Sequence, residues 1–173
     1  GLCGTMSVGK TTLVNALKET KQFKDYNFAT ERSQHLMSLG IPLNTDSTLK
    51  GQTVFLAERC GELMHDNIIT DRTVFDVMAF TMNAKSIPHQ DKESFETYAN
   101  EFIREYDYIF YISPHGIEIE DNGVRETDEH YRDLIDFTIT TLIKRYGHKC
   151  NIVEKISGST EERIQQILNI TGL

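Results

Sequence analysis

The sequence predicts an α/β fold in which a parallel sheet of five strands carries helices on both faces. Short apolar runs alternate along the chain with segments whose apolar residues recur at helical spacing. This alternation is typical of parallel sheets, because a helix carries the chain from the end of one strand back to the start of the next. The chain has 173 residues, enough for one compact domain, so residues 1–173 are expected to form a single domain.

The composition is that of an acidic protein. The formal net charge is −8, the isoelectric point is about 5.2, and 39% of the residues are hydrophobic. An acidic surface repels nucleic-acid backbones and anionic membranes, so neither is an expected partner, although a local basic groove stays compatible with the composition. Cys3, Cys60 and Cys150 lack the spacing of a zinc site, which favours a reduced, cytoplasmic protein. No apolar run reaches the length of a membrane span.

The first strand and the loop after it carry the main functional signal. Gly1–Cys3 reads as the end of an apolar strand, and we expect further strand residues upstream, because such a loop follows a full strand. After the loop, Leu13, Val14 and Leu17 form the apolar stripe of a helix. The loop itself fits G-x-x-x-x-G-K-[ST], the Walker A phosphate-binding pattern, in the residues Gly4-Thr5-Met6-Ser7-Val8-Gly9-Lys10-Thr11.

Each part of this loop has a chemical reason. Gly4 and Gly9 let the backbone wrap so that successive N–H groups point at phosphate oxygens. The helix that follows presents its positive end to the same anion. Lys10 would reach the β- and γ-phosphates, and the Thr11 hydroxyl would bind Mg²⁺. The loop and the next residue, Thr12, are therefore predicted to bind ATP with Mg²⁺.

The second predicted strand ends in a charged pair. Tyr26–Thr30 reads as a short strand that leads into Glu31 and Arg32, and Ser33–Leu39 reads as a helix. A carboxylate at the end of this strand could orient or deprotonate the hydroxyl of a phosphoryl acceptor. Glu31 could instead be a solvated carboxylate at the start of the helix.

The third predicted strand also ends in an acidic residue followed by arginine. Asn67–Thr70 is a short apolar run, and Asp71 and Arg72 come directly after it. An acidic residue at the carboxyl end of a buried strand is the usual Walker B arrangement, so Asp71 is predicted to help hold Mg²⁺ or to act as the base. The alternative is that Asp71 caps the helix that begins at Thr73.

The second half of the chain repeats the strand–helix alternation. Tyr108–Ile112 is continuously apolar, as a central parallel strand should be. Thr127 is the predicted cap of a long helix, and Ser157-Gly158 turns from a fifth strand into a last helix. Helical spacing predicts that the inward-facing residues of the two long helices include Tyr98, Phe102, Tyr106, Tyr131, Leu134, Ile135, Thr138, Leu142 and Tyr146.

The polar signals converge on one edge of the predicted sheet. Ligands of open parallel sheets bind beyond the carboxyl ends of the strands. Gly4–Thr11, Glu31, Asp71, Ser113 and Ser157 all follow predicted strands. The sequence therefore predicts one nucleotide-binding cleft at this edge.

A phosphate-binding loop alone does not decide what happens to the nucleotide. A GTPase switch would carry N-K-x-D and D-x-x-G, and neither pattern occurs in the sequence. A small-molecule kinase needs a carboxylate near the acceptor hydroxyl and arginines that close over the transferring phosphoryl group. The carboxylate would come from Glu31 or Asp71. The arginines would be Arg72, together with Arg125 and Arg132 in a lid-like segment at about 115–132.

The order of these motifs resembles NadR-like P-loop kinases, the ribosylnicotinamide-kinase-type ATP-binding domains related to nucleoside and nucleotide kinases. The likeness is carried by the phosphate loop, Glu31-Arg32, Thr70–Thr73 followed by Phe75–Phe80, and Asp121–Asp128. The resemblance implies a five-stranded sheet, ATP with Mg²⁺, phosphoryl transfer to a nucleoside-like acceptor, and contact of Ser157 and Gly158 with adenine. Here Glu31 is followed directly by Arg32, whereas the family tends towards Glu-x-x-Arg, and this difference leaves the acceptor open.

The sequence thus favours ATP-dependent phosphoryl transfer to a nucleoside- or nucleotide-type small molecule, such as nicotinamide riboside or a deoxynucleoside. Two alternatives stay open. One is a kinase that acts on a modified base in DNA, and the other is a nucleotide-binding switch with slow hydrolysis. Arg125 and Arg132 could also be surface partners of the many nearby acidic residues.

Overall fold

The computed structural model of the protein describes residues 1–30, 33–117 and 128–173. Within these residues the strands are β1 (Leu2–Cys3), β2 (Asn27–Ala29), β3 (Ile68–Thr70), β4 (Tyr108–Ile112) and β5 (Ile152–Ile156). The α-helices are α1 (Lys10–Lys18), α2 (Ser33–Ser38), α3 (Leu49–Glu62), α4 (Val74–Asn83), α5 (His89–Ala99), α6 (Glu129–Tyr146) and α7 (Thr160–Thr171). Short 3-10 helices at Lys21–Phe23, Asn44–Asp46, Asn100–Glu105 and Gly147–Lys149 complete these regions.

All the strand pairs are parallel, as predicted, but they form ladders of three and two. One ladder has the order β1-β4-β5 and the other pairs β2 with β3. A single parallel bridge between Leu2 and Asp71 connects them, and the Arg72 N–H donates to the Leu2 carbonyl oxygen at 3.0 Å. The strand β1 has two residues, which leaves little backbone for a longer ladder towards β3. The predicted single sheet of five strands is therefore present only as these two bridged parts.

Helices cover both faces of the sheet, which confirms that part of the prediction. Alternate residues of β4 point to opposite faces, because side chains in a strand alternate. Ile109 and Tyr111 join a core cluster with residues of α3, α4 and α6, whereas Phe110 and Ile112 join a second cluster with residues of α1 and α7. The sheet therefore holds α1 and α7 together on one side of the phosphate loop.

Two residues predicted to face inward are exposed. Tyr98 is 63% exposed and Leu134 is 47% exposed. On α5, the buried residues are Phe95, Glu96 and Ala99, a stripe that leaves Tyr98 outside. On α6, the buried residues are Tyr131, Arg132, Ile135, Ile139 and Leu142, a stripe that leaves Leu134 outside.

The start of α6 also differs from the prediction. Asp128 is the N-cap residue, and its side chain accepts a hydrogen bond from the His130 N–H at 2.9 Å. The predicted cap, Thr127, lies outside the described residues. Most of the predicted lid-like segment at about 115–132, including Arg125, also lies outside the described residues. In the described ranges, no helix is both long and apolar enough to cross a membrane.

Candidate functional site

The phosphate loop links β1 to α1 in a conformation that depends on its two glycines. Gly9 is the N-cap residue of α1 and has a φ of 82°, a left-handed conformation that glycine adopts without steric cost. Gly4 has a φ of 152°, and a Cβ placed on it would lie 2.5 Å from the Ile112 carbonyl oxygen. The end of β4 therefore presses against the loop so closely that no side chain fits there.

Lys10 is folded back onto its own loop. Its Nζ donates to the carbonyl oxygens of Gly4 at 2.6 Å and Thr5 at 2.7 Å, and the residue is 6% exposed. Burial lowers the pKa of the Lys10 ammonium from 10.5 to about 8. The positive charge of Arg72 acts in the same direction. The ammonium is thus held by carbonyl dipoles at the centre of the loop, where a phosphate could replace them as its partner.

Thr11 and Asp71 meet beside this lysine. The Thr11 hydroxyl donates to Asp71 Oδ2 at 2.5 Å. Asp71 is fully buried, and its other carboxylate oxygen, Oδ1, is buried without a hydrogen-bond partner. A buried carboxylate oxygen without a partner is costly, and a hydroxyl beside a carboxylate is a donor set that suits Mg²⁺. The two residues predicted to hold the metal therefore fit such an ion.

The backbone around Asp71 explains its position. The Asp71 N–H donates to the Ala29 carbonyl oxygen of β2 at 2.9 Å, and the next N–H donates to Leu2 of β1. Asp71 thus lies between two parallel strands at their carboxyl ends. The alternative role, capping α4, belongs to another residue: Thr73 is the N-cap, and it forms a capping box with Asp76.

The residues described here contain no group of three or more His, Cys, Asp or Glu side chains arranged as a metal site. This does not argue against a magnesium site. Mg²⁺ is commonly bound by one or two carboxylates together with water and substrate phosphates rather than by a full protein cage. The Thr11–Asp71 pair fits that second kind of site.

Arg72 lies at the cleft in an uncommon backbone conformation. Its φ is 93°, which is rare for a residue with a side chain. Its guanidinium lies 5.3 Å from the centre of the Phe80 ring and 3.9 Å from Asp76. The aromatic face and the carboxylate together aim the arginine, and Arg72 lines the same cleft as Lys10.

Asp76 is a site residue to which the sequence reasoning gave no role. It is fully buried and accepts hydrogen bonds from the Gly4 N–H at 3.2 Å and from the Thr73 N–H at 2.8 Å. It also accepts from the Thr73 hydroxyl at 2.9 Å. One carboxylate therefore ties α4 to the phosphate loop. The available signal was an acidic residue three positions after a threonine, which is the capping-box spacing.

Arg59 is a second residue that the sequence analysis missed. It is 3% exposed, and its Nη1 donates to the Asp71 carbonyl oxygen at 3.0 Å. Its Nη2 donates to Glu62 at 2.6 Å. Arg59 thus supports the turn that carries Asp71. The signal in the sequence was an arginine at an inward position of α3, three residues after Leu56.

Arg132 lies close to the loop but is bound to backbone. Its Nη1 donates to the Ile117 carbonyl oxygen at 2.7 Å, and its Nη2 donates to Pro114 at 3.0 Å. Its own carbonyl accepts a hydrogen bond from the Thr5 hydroxyl at 3.2 Å. Arg132 thus holds the segment after β4 against the phosphate loop. The other two predicted charged residues, Glu31 and Arg125, lie outside the described residues.

A cleft of about 260 Å³ lies at the mouth of the phosphate loop. Met6 to Thr12 form one side, and Asp71 and Arg72 form another. Gly158, Ser159 and Thr160 close the third side together with Arg163 of α7, a residue that the sequence analysis also missed. Ser157 is exposed next to this wall. The structure thus brings together the predicted residues of the phosphate loop, Asp71, Arg72 and Gly158.

A larger cavity, of about 780 Å³, lies at the other edge of the sheet. Its lining includes Asn67 and Tyr108, which stand at the starts of β3 and β4. The predicted site residues do not line it. The smaller cleft is the candidate site, because it has the phosphate loop, the carboxylate and the cations in one place, at the edge where ligands of parallel sheets bind.

A family model described as an AAA domain matches residues 2–163. None of the curated proteins matches the chain in sequence. The match spans most of the chain and includes the phosphate loop, Asp71, Arg72 and Arg163.

Several solved structures share the fold at low sequence identity. The structure of deoxyadenosine kinase from M. mycoides with the products dCMP and a flexible dCDP has a TM-score of 0.72 at 16% identity, and the alignment covers 99% of this chain and 96% of that chain. The same kinase with bound dCTP has a TM-score of 0.67 at 17% identity, with coverages of 99% and 97%. The YorR protein from Bacillus subtilis in complex with phosphorylated GDP has a TM-score of 0.62 at 17% identity, with coverages of 99% and 94%. The fold is thus an α/β P-loop fold of the kinase-like kind.

Proposed function

The chain belongs to the AAA domain family, and we propose that it is a P-loop kinase. It would transfer the γ-phosphoryl group of ATP to a nucleoside- or nucleotide-type small molecule. The observation that carries this proposal is the contact between Thr11 and Asp71 beside Lys10. A hydroxyl, a buried carboxylate and an ammonium at the start of a helix are the parts that phosphoryl transfer requires.

The phosphate loop and Lys10 would bind the donor phosphates. Its backbone N–H groups and the positive end of α1 favour an anion at this position. Lys10 would exchange the carbonyl oxygens of Gly4 and Thr5 for phosphate oxygens, which are stronger acceptors because they carry charge. Donor binding therefore uses an ammonium that is already at the centre of the loop.

The Thr11 hydroxyl and Asp71 would hold Mg²⁺, with Asp71 Oδ1 as the oxygen that lacks a partner. When bound, the ion would neutralise the negative charge of the β- and γ-phosphate groups during cleavage of the P–O bond that joins them. Arg72 would add positive charge from the side of α4, where Phe80 and Asp76 aim it. Arginines so placed favour the transition state, in which charge spreads over the transferring group.

The remaining roles rest on the sequence. Glu31 would orient or deprotonate the acceptor hydroxyl, with Asp71 as the alternative base. Arg125, together with Arg132, would cover the transferring group, and Ser157 and Gly158 would flank the adenine. Arg132 would have to leave the carbonyl oxygens of Pro114 and Ile117 to serve in this way.

A nucleoside-type acceptor is supported by the likeness of the fold to a kinase of a deoxynucleoside and by the motif resemblance of the sequence. The fold likeness to deoxyadenosine kinase supports a deoxynucleoside, and the resemblance to ribosylnicotinamide kinases supports nicotinamide riboside. Both are nucleosides with an aromatic base, so both belong to the proposed class.

The test is acceptor-dependent release of ADP from MgATP. Deoxynucleosides, deoxynucleotides, nicotinamide riboside and DNA with modified bases are supplied one at a time, and ADP and the phosphorylated product are measured. We expect one class of small-molecule acceptor to raise the rate of ADP release well above the rate with ATP alone. ADP release at one slow rate with every acceptor would indicate a nucleotide switch instead, and a response to DNA alone would indicate a base kinase.

A further inference from the structure

The helix α7 presents two polar side chains to two different loops of the cleft. Arg163 contacts the phosphate loop, and Gln166 contacts the loop that follows β5. Residues three positions apart are neighbours on a helix surface. One rigid element therefore connects the phosphate side of the cleft with the side predicted to flank the adenine.

Arg163 is bound to the backbone of the phosphate loop at a buried position. Its Nη1 donates to the Val8 carbonyl oxygen at 2.8 Å, and the residue is 9% exposed. A Cβ placed on Gly9 would lie 3.2 Å from the same nitrogen. The guanidinium thus packs where the loop turns into α1, and a larger residue than glycine would press against it.

The burial of Arg163 has an energetic cost. Burial lowers the pKa of the guanidinium below its usual value, and its Nε is buried without a hydrogen-bond partner. An apolar side chain of similar size could fill this position without that cost. Packing alone therefore does not account for an arginine that donates to one loop carbonyl oxygen. Its position at the cleft wall suggests a role in keeping the loop in the conformation that binds phosphate.

Gln166 holds the other loop by both of its polar groups. Its Oε1 accepts a hydrogen bond from the Ser157 N–H at 3.2 Å, and its Nε2 donates to the Ser157 carbonyl oxygen at 2.7 Å. This paired contact fixes the backbone at the point where the chain leaves β5. Gly158, the next residue, has a φ of 96° and lines the cleft.

We propose that Arg163 and Gln166 are positioning residues and that each holds a different loop of the donor site. Arg163 sets the affinity for the phosphates through Val8, and Gln166 sets the affinity for the nucleoside through Ser157. This inference rests on the proposed use of the cleft as an ATP site. It adds two residues and a division of roles to the phosphate-loop motif.

The test compares two ligands, MgATP and magnesium tripolyphosphate, by calorimetric titration. Tripolyphosphate carries the phosphates without the nucleoside. Arg163→Met should weaken both ligands by the same factor, about tenfold or more, because a charged donor to the loop is lost. Gln166→Leu should weaken MgATP by about threefold to tenfold and leave tripolyphosphate unchanged.

Matched controls come from exposed residues of the same types. Gln165→Leu is one helix position away, where Gln165 donates to the Asn169 side chain at 3.2 Å. Arg104→Met removes an exposed arginine that pairs with Glu101. Both controls should bind both ligands as the wild type does. Arg163→Lys, which keeps the charge, provides a second variant in case Arg163→Met fails to fold, and it should lose affinity for both ligands equally but by less.

Two results would overturn the division of roles. One is unchanged tripolyphosphate affinity in a folded Arg163 variant, and the other is an equal loss for both ligands in Gln166→Leu. A different result would contradict the proposed kinase activity. If the wild type and the variants bind as expected but no acceptor accelerates ADP release, the positioning roles stand and the kinase proposal does not.

Discussion

The hydroxyl of Thr11 donates to the carboxylate of Asp71 at 2.5 Å, although 60 positions separate the two residues in the sequence. The contact forms because β1 and β3 end at the same edge, where a single bridge joins Leu2 to Asp71. The phosphate loop after β1 and the acidic turn after β3 therefore meet. The proposed chemistry depends on this meeting.

Asp71→Asn should reduce phosphoryl transfer by about 100-fold or more, because an amide lacks the negative charge that holds Mg²⁺. The amide oxygen can still accept the Thr11 hydroxyl, so the fold should persist. Steady-state kinetics at saturating MgATP, with a thermal melt, measures both effects. Near-normal turnover in a folded variant would mean that Asp71 does not hold the metal.

Lys10 gives a pH dependence of ATP binding. Its pKa of about 8 in the free protein means that the ammonium loses its proton as the pH rises through 8. A bound triphosphate favours the charged form, so MgATP affinity should be constant well below pH 8 and should fall as the pH rises above it. Titrations from pH 7 to pH 10 measure this. Lys10→Met should bind weakly without this inflection, and an identical pH profile in both proteins would assign it to another group.

The Lys10 ammonium also affects the free energy of unfolding of the protein in the absence of ATP. A folded-state pKa that is lowered from 10.5 to about 8 means that the unfolded chain holds the proton between these two values while the folded protein does not. The free energy of unfolding attributed to Lys10 should therefore rise with pH across this range and be flat below it. Comparison of urea denaturation for the wild type and Lys10→Met isolates this contribution. A contribution that falls with rising pH would contradict the assigned burial.

Asp76→Ala should lower the free energy of unfolding by about 2–4 kcal/mol, because the N–H groups of Gly4 and Thr73 lose their acceptor inside the protein. Urea denaturation measures this change. Asp25→Ala is the matched control, since Asp25 is exposed on the surface, and its effect should stay within about 0.5 kcal/mol. Equal effects of the two substitutions would show that Asp76 does not tie α4 to the loop.

Arg132→Met tests whether Arg132 holds backbone or only acts on phosphate. Its two bonds to the carbonyl oxygens of Pro114 and Ile117 predict a loss of about 1–3 kcal/mol in the free energy of unfolding. A residue that acts only on the transferring group would change kcat and leave stability as it was. A fall in kcat at unchanged stability would therefore assign Arg132 to catalysis alone.

The sequence was sufficient for the parallel α/β class and for the positions of the phosphate loop and Asp71 after their strands, but not for the division of the strands into ladders of three and two. The phosphate loop is a contiguous pattern, and the apolar run before Asp71 marks it as the end of a strand, so local sequence is enough to identify both. Leu134 was wrongly placed inward, because helical spacing alone does not say where the edge of a buried stripe falls. Tyr98 was wrongly placed inward for the same reason, since the buried residues of α5 are Phe95, Glu96 and Ala99.

The supporting residues could not be predicted in the same way. Arg59, Asp76 and Arg163 each act through contacts with backbone groups of loops that are distant in sequence: Asp71, Gly4 and Val8 respectively. Such contacts depend on how helices pack against the sheet, which no local pattern encodes. For Arg59 and Arg163 the signal was a charged residue at an inward helix position, and for Asp76 it was the capping-box spacing. Neither signal identifies the loop that the residue contacts.

The most direct test of the kinase proposal follows a γ-labelled phosphoryl group from ATP. The wild type is incubated with Mg²⁺, labelled ATP and the acceptor that accelerates ADP release most, and the label is located in the products. The account predicts label in the phosphorylated nucleoside or nucleotide in proportion to the ADP formed, and none with Asp71→Asn. Label found only as free inorganic phosphate, at a rate that no acceptor changes, would contradict it.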